Sequence, residues 1–274
     1  MSGYFIDTAD MSYITPLWDT LKKYDTLYTG FLGITTNPSA MSKIGVHTVE
    51  DFKKVVTNLK NFCHTASPNV HTTVFVQMPN DNMTFHEFDT WIELIKKLNE
   101  DVYDVTVGLK IPPYAKYLTR VRETGNDYHL VLNVTGVADA GTLFRVHESA
   151  NLAYASLIPG RMEEVGINAN AHMQSLLAVP DFGQRVITGA MRTLDGLRNS
   201  IRGGTVPTIG TRVFDLMVHD KHMRQFAEMW DLPKFDASDL PPNCDQRNID
   251  LTTGFFTQMN ELGAKLYADF RSTL

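Results

Sequence analysis

Eight runs of apolar and β-branched residues recur along the 274-residue chain, and segments with helical periodicity lie between them. Strands joined through helices and short turns lie parallel, because each helix returns the chain to the same end of the sheet. Eight such units without a glycine-rich nucleotide-binding turn favour a closed barrel over a doubly wound sheet. The sequence therefore predicts an α/β protein, a (β/α)8 TIM barrel with an extra C-terminal helix. The strand-like runs are Gly3–Ile6, Leu27–Ile34, His71–Gln77, Val105–Ile111, His129–Val134, Leu152–Ile158, Arg185–Ala190 and Val206–Ile209. The helical patterns are clearest in Val49–Phe62, Phe85–Leu98, Tyr114–Glu123, Ala138–Ser149, Met191–Ile201 and Phe214–Trp230.

The chain beyond the eighth unit does not belong to the repeating pattern. Residues 1–230 account for the barrel, and residues 231–274 form a linker and a helical appendage. The linker, Asp231–Asn248, is rich in Pro, Asp and Asn, and Ile249–Phe270 resumes a helical pattern. An apolar stripe of this kind must be covered, either by its own barrel or by a neighbouring subunit. The stripe comprises Leu251, Phe255, Met259, Leu262, Leu266 and Phe270.

Charge and cysteine usage exclude several classes of protein. The formal net charge is −6 and the basic residues form no stripe, so we expect no nucleic-acid partner. No apolar run approaches the roughly 18 residues of a membrane span, and the N-terminus enters a strand instead of a signal peptide. Cys63 and Cys244 lie far apart, as in a cytoplasmic protein with free thiols. The pair His219 and His222 has metal-like spacing but no further cluster, so a solvated helix surface is favoured and no metal is expected.

Lys110 lies in an apolar, β-branched run at 104–112 that is typical of a buried strand. Burial disfavours an ammonium and lowers the lysine pKa, which leaves neutral amine able to attack a carbonyl and form a Schiff base. The alternative is a lysine at a frayed strand end that extends its amine to solvent.

Polar residues follow the predicted strands, and in a TIM barrel the catalytic groups gather at that end. A carboxylate, a lysine, amides and hydroxyls at one mouth suit carbon–carbon bond cleavage through an iminium ion. Asp7 has an alternative reading as the N-cap of a helix starting near Asp10, and Asn37 as the Asx residue of a turn before Pro38. The strand-end residues are Asp7, Thr35, Thr36, Asn37, Gln77, Lys110, Asn133, Thr135, Ser156, Arg161 and Arg192.

Five segments together resemble the transaldolase family, and the likeness is closest to its small branch, which includes fructose-6-phosphate aldolases. The resemblance runs from residue 3 to about residue 230 and leaves out the tail. The opening motif and Thr-Thr-Asn-Pro-Ser are specific, whereas the other three are weaker alone. The segments are Phe5–Asp10, Gly33–Ser39, Leu109–Pro112, Asn133–Thr135 and Gly160–Arg161.

The resemblance implies a role for each of these positions. Lys110 would be the Schiff-base lysine, Asp7 the general acid/base and Thr135 the residue that holds the catalytic water. Asn37 would bind the hydroxyls of a dihydroxyacetone unit, together with Thr35 and Ser156 in the substrate site. Arg161 and Arg192 would bind the substrate phosphate, for which their planar forks are suited.

Three positions depart from the family pattern. Gln77 replaces the Glu of transaldolases proper, as in the aldolase-type members, and an amide can orient a water but cannot take its proton. Ile158 stands where the two branches carry Phe or Tyr, and Ala190 stands where a phosphate-binding Ser is usual. The lost hydroxyl removes a charge-assisted hydrogen bond worth roughly 1–3 kcal/mol.

The resemblance implies an enzyme, a transaldolase of the pentose phosphate pathway. Its partners would be sugar phosphates, a ketose donor and an aldose acceptor, and no cofactor is expected because the lysine supplies the amine. Gln77 favours the alternative of an aldolase that releases free dihydroxyacetone. Ile158, Ala190 and the tail favour a third, a weakened barrel serving in assembly or binding. Small members of the family form rings in which a C-terminal helix packs on a neighbour, so we expect a homo-oligomer of that kind.

Overall fold

Eight parallel strands close into one barrel, in which each strand pairs with the next along the chain and the eighth pairs with the first. The computed structural model describes residues 3–100, 104–125, 130–149, 154–176, 179, 182–217, 228 and 246–274. The predicted fold, a (β/α)8 barrel with an added C-terminal helix, is confirmed. The strands are β1 Tyr4–Asp7, β2 Phe31–Thr35, β3 Thr72–Gln77, β4 Val105–Ile111, β5 Leu132–Val137, β6 Tyr154–Leu157, β7 Val186–Thr188 and β8 Val206–Gly210.

Helices surround the barrel, and side-chain caps fix where several of them begin. Thr48 and Asp51 form a reciprocal capping box at the start of α4, and Thr84 and Glu87 do the same for α5, so orphan backbone N–H groups of each first turn are satisfied. The helices are α1 Met11–Leu21, α2 Asp25–Thr29, α3 Pro38–Lys43, α4 Val49–Ala66, α5 Phe85–Lys97, α6 Ala115–Gly125, α7 Ala140–Ser149, α8 Pro159–Glu164, α9 Ala169–Leu176, α10 Leu194–Arg202, α11 Thr211–Met217 and α12 Gln246–Ser272.

An aromatic plug fills the barrel interior. Phe5, Phe75 and Tyr154 contact one another with ring centroids 5.5, 5.6 and 5.7 Å apart, and Ile187 and Val206 complete the cluster. Gly108 makes room for this plug, because a Cβ at that position would overlap the ring of Phe75. Because this plug fills the barrel core, the polar strand-end residues lie around the C-terminal mouth of the barrel.

The bounds of several strands differ from the prediction, most clearly in β2 and β5. Leu27 belongs to the short helix α2, and β2 starts only at Phe31, because a short apolar run can be buried equally well in a helix or a strand. β5 extends to Val137, past a register irregularity after Val134, instead of ending at Val134. Of the last predicted barrel helix, Phe214–Trp230, residues 214–217 belong to α11, which already begins at Thr211; His219, His222, Cys244 and residues 231–245 lie outside the described residues.

The C-terminal helix α12 lies on its own barrel, one of the two placements that its apolar stripe allowed, and packing on a neighbouring subunit stays a prediction. Phe270 meets Trp91 with ring centroids 5.3 Å apart, and Asp269 accepts a 2.7 Å hydrogen bond from the backbone N–H of Val49, at the first turn of α4. Gly263 is in close contact with the backbone of Pro79, where a Cβ would overlap the carbonyl oxygen. A homo-oligomer remains a prediction.

The buried face of α12 matches the predicted stripe at some positions and is shifted by one residue at others. Met259, Leu266 and Phe270 are buried as predicted, but Phe256 is buried where Phe255 was expected, and Leu262 is 36% exposed. The buried positions recur at intervals of three and four residues around Gly263, the point of closest approach. Among the helices in the described ranges, none has the length and apolar character of a membrane span.

Candidate active site

A cavity of about 440 Å³ opens at the C-terminal ends of the strands. It brings together eight of the eleven strand-end candidates of the sequence analysis; Thr36, Gln77 and Asn133 are buried and do not line it. The candidate residues in the lining are Asp7, Thr35, Asn37, Lys110, Thr135, Ser156, Arg161 and Arg192.

Lys110 is held inside the barrel by its neighbours on β2. Its Nζ donates to the hydroxyl oxygen of Thr35 at 3.0 Å and to the carbonyl oxygen of Thr36 at 2.8 Å, and only 6% of the residue is exposed. The Thr36 backbone is itself fixed by a 2.8 Å bond from its N–H to the Phe75 carbonyl. Burial lowers the pKa of Lys110 to about 8, against the opposing attraction of the Asp7 carboxylate. The alternative of an amine extended to solvent is therefore wrong.

Asp7 stands at the end of β1 as a carboxylate without a structural task. Helix α1 is capped by Asp10, which accepts from the N–H of Ser12 at 2.9 Å, so the alternative reading of Asp7 as the cap is wrong. Burial raises the pKa of Asp7, and the charges of Lys110 and Lys43 act in the opposite direction. Its Oδ1 is buried without a hydrogen-bond partner among the described residues. A carboxyl group of raised pKa in the same site as an amine of lowered pKa is suited to act as a general acid/base.

Buried side-chain amides lie next to Lys110 on the two neighbouring strands. Gln77 and Asn133 are its register partners on β3 and β5. The Asn133 side-chain oxygen accepts from the hydroxyl of Ser156 at 2.9 Å. Within the described part of the chain, Asn133 Nδ2 and Gln77 Oε1 have no partner. An unsatisfied buried polar atom costs about 1–3 kcal/mol, so two beside one lysine are explained best by a ligand or water that binds them.

Asn37 has a local structural task, but as a helix cap instead of the Asx-turn residue that its alternative reading gave it. Its Oδ1 accepts a 2.9 Å hydrogen bond from the backbone N–H of Ala40 and thereby caps α3. The residue also lines the cavity. Because the oxygen is engaged, the amide NH2 is the group left to donate to a substrate hydroxyl.

The two candidate phosphate-binding arginines are joined by a carboxylate that the sequence analysis did not single out. Glu164 accepts from Arg161 Nη1 at 3.1 Å through one oxygen and from Arg192 Nε at 3.0 Å through the other. Gln258 of α12 accepts from Arg161 Nη2 at 3.2 Å. The i,i+3 spacing of Arg161 and Glu164 on α8 is a signal that could have found the first contact.

Ala190 lies at the mouth in a left-handed conformation, with φ 57°. A non-glycine residue pays roughly 1–2 kcal/mol for this conformation, and such strain concentrates at functional sites. The turn packs closely against α8, as shown by Gly160, where a Cβ would overlap the Ala190 carbonyl oxygen. The backbone is therefore held in an unusual shape at the position where the expected hydroxyl is missing.

The cavity also contains residues that the sequence analysis did not select. Thr208 lies on β8 and could have been found by the strand-end rule, and Lys43 follows the Thr-Thr-Asn-Pro-Ser motif on α3. Phe255, Gln258 and Met259 come from α12, and no signal within the barrel sequence points to them. Within the described part of the chain, no three His, Cys, Asp or Glu residues are grouped to hold a metal ion.

Curated relatives are similar over most of the chain. A probable transaldolase of Streptococcus agalactiae serotype V is 27% identical over 236 residues, which cover 83% of this chain and 97% of the relative. A probable transaldolase 2 of Bacillus cereus is 28% identical over 242 residues, which cover 83% of this chain and 96% of the relative. A probable transaldolase of Syntrophobacter fumaroxidans is 24% identical over 237 residues, with 83% and 96% covered.

Solved structures resemble the chain more distantly. YagE, a prophage protein of the dihydrodipicolinic acid synthase family from E. coli K12, matches with a TM-score of 0.48 at 14% identity. The match covers 94% of this chain and 98% of that one. No protein-family model matches the sequence. Similarity at this level carries no argument about the reaction.

Proposed function

We propose that this chain, whose curated relatives support its assignment to the transaldolase family, transfers a dihydroxyacetone unit between sugar phosphates through a Schiff base on Lys110. One observation carries the proposal. A lysine amine with a pKa of about 8 is buried at the barrel mouth together with a carboxyl group of raised pKa, Asp7. Near pH 7, roughly a tenth of such an amine is neutral, which is enough for it to act as a nucleophile.

The residues divide the reaction between them. The neutral amine of Lys110 attacks the C2 carbonyl of a ketose phosphate, and loss of water gives the iminium ion. Asp7 takes the proton of the C4 hydroxyl, the C3–C4 bond breaks, and its electron pair enters the iminium to form an enamine while the aldose leaves. The enamine then attacks the aldehyde of the acceptor, and Asp7 returns the proton to the new hydroxyl. Hydrolysis of the iminium, with Thr135 holding the water, releases the product.

Neutral donors and the arginine pair would orient the substrate. The Asn37 amide and the Ser156 hydroxyl lie in the same cavity as Lys110 and suit the hydroxyls of the dihydroxyacetone unit. Arg161 and Arg192 lie on that cavity's wall and supply the positive charge for a phosphate.

An aldolase is the second candidate, and Gln77 is the observation that favours it. An aldolase would protonate the same enamine and release free dihydroxyacetone. Gln77 adjoins Lys110 and has an unsatisfied oxygen, but an amide cannot accept the proton of a water as a carboxylate does. Acceptor dependence separates the two activities. Product from fructose 6-phosphate alone would identify an aldolase, and product only after addition of erythrose 4-phosphate would identify a transaldolase.

Trapping with borohydride tests the mechanism. The protein is reduced in the presence of fructose 6-phosphate, and the adduct is located by peptide mass mapping. We expect the adduct on Lys110 and none after Lys110→Arg, because a guanidinium stays protonated and forms no imine. Two lysines serve as internal controls: Lys60 is 3% exposed but outside the cavity lining, and Lys43 lines the cavity with an exposed side chain. An adduct on either one, or none on an active preparation, would refute the mechanism.

A further inference from the structure

The Glu164 carboxylate lies between the two arginines that the proposed function gives to the substrate phosphate. Each of its oxygens accepts from a different guanidinium, at 3.1 Å from Arg161 and 3.0 Å from Arg192. Its side chain is 45% exposed, compared with 29% and 30% for the two arginines. The contact is thus an ion pair within one wall of the site that keeps access to solvent.

The carboxylate stays ionised in this position. Partial burial raises the pKa of Glu164, but the hydrogen bond from Arg161 and the charge of Arg192 outweigh it and hold the pKa below the ordinary value. Two positive charges are therefore partly neutralised by one negative charge. A phosphate that binds both guanidinium groups lies close to the negative charge of Glu164. It also competes with this carboxylate for the hydrogen-bond donors of the two arginines.

A second cavity adjoins the Glu164 carboxylate. It measures about 470 Å³, and it is lined by Glu164 but not by Arg192. Arg161, Phe255 and Gln258 line both cavities and so form the partition between them. Glu164 therefore contacts the arginines from the side of the second cavity and does not line the substrate cavity itself.

We propose that Glu164 is an internal counter-anion of the arginine pair, which weakens phosphate binding and sets how strongly the site prefers phosphorylated over unphosphorylated sugars. The inference rests on the proposed function only in taking Arg161 and Arg192 as the phosphate-binding residues. It agrees with the absence of a hydroxyl at Ala190, since both features lower the affinity of the same wall for a dianion.

The adjacent Glu163 provides a matched control. It lies on the same short helix and is exposed, and its carboxylate has no recorded ion pair within the described ranges. Glu163→Gln and Glu164→Gln remove the same charge one residue apart, and the glutamine at 164 can still accept one hydrogen bond from an arginine. The difference between the two variants therefore isolates the ion pairs with Arg161 and Arg192.

Calorimetric titration with inorganic phosphate at pH 7.5 tests the proposal in the full-length protein. Exposed ion pairs are worth about 1.4- to 5-fold each in an equilibrium constant, so releasing two of them should tighten phosphate binding about 2- to 25-fold in Glu164→Gln. Glu163→Gln should stay within about twofold of the wild type. Arg192→Ala should weaken binding and thereby locate the phosphate at the pair.

Two results would overturn the inference. If phosphate binds through Arg192 and Glu164→Gln equals Glu163→Gln or binds more weakly, Glu164 does not restrain the site, and the phosphate assignment survives. If neither the wild type nor Glu164→Gln binds phosphate, the inference and the role of the arginines both fail. The Schiff-base chemistry of Lys110 is measured separately by borohydride trapping, so its failure is recognised independently.

Discussion

Replacing Lys110 with methionine should remove a pH-dependent cost from the folded protein. Methionine has a similar length and no charge, so the barrel interior keeps its volume while the buried amine is lost. A pKa lowered from 10.5 to about 8 corresponds to about 3 kcal/mol, because each pKa unit is worth about 1.36 kcal/mol. Below pH 8, the buried ammonium therefore lowers the free energy of unfolding by this amount.

The sign follows from which state binds the proton. Between pH 8 and 10.5 the unfolded chain holds the Lys110 proton more tightly than the folded one, so the free energy of unfolding rises with pH in this window. In Lys110→Met the contribution is absent. The wild type should thus gain about 2.5 kcal/mol relative to the variant between pH 7 and pH 10. The hydrogen bonds to Thr35 and Thr36 that methionine cannot make shift the difference by an amount that does not depend on pH.

Urea denaturation followed by circular dichroism measures this difference at pH 7, 8, 9 and 10. Titrating groups that do not interact with Lys110 contribute equally to both proteins and cancel. Lys53→Met is the control, because it removes the same charge from a side chain that is 44% exposed. Parallel wild-type and Lys110→Met curves would show that the folded protein does not desolvate the Lys110 ammonium, and the argument for its nucleophilicity would fail.

Two further predictions concern the acid–base group and the C-terminal helix. Asp7→Asn should still form the borohydride-trapped adduct on Lys110 but cleave the C–C bond about 10²- to 10⁴-fold more slowly in single-turnover kinetics. In the wild type, whose Asp7 has a raised pKa, the rate of cleavage should fall as the pH drops through that pKa. Unchanged cleavage in the variant would remove Asp7 from the mechanism. Gly263→Ala should cost about 1–3 kcal/mol in denaturation, because the new Cβ meets the Pro79 backbone, whereas Gly254→Ala, which meets nothing within 4 Å, should be neutral or stabilising by up to about 1 kcal/mol. Equal effects of the two substitutions would mean that α12 is not held against its barrel.

Local periodicity is the part of the architecture that the sequence determined. A strand repeats every two residues and a helix every 3.6, so the alternation of eight strands with helices could be predicted without any long-range information. The same local logic found the site, because parallel strands in a barrel all end at one mouth. Asp7, Thr35, Lys110, Thr135 and Ser156 were selected as strand-end residues, and all five line one cavity.

Boundaries and alternatives required more than local information. The sequence left Asp7 as either the cap of α1 or an acid–base group, and only the structure shows that Asp10 is the cap. It left Asn37 as either an Asx-turn residue or a substrate ligand, and in the tertiary structure the residue caps α3 and also lines the cavity. A cap depends on the path of the backbone through one turn, which several neighbouring polar residues can satisfy equally well.

Only the tertiary structure decided the electrostatics of the site and the placement of the tail. Lys110 meets a hydroxyl 75 residues away, and Arg161 meets an amide 97 residues away, so neither contact has a period to reveal it. The buried face of α12 includes Phe256 instead of Phe255, because the close approach at Gly263 fixes the rotation of the helix. Side-chain pKa values and ion pairs depend on distances in three dimensions, whereas the pattern of a sequence records only the period of each element.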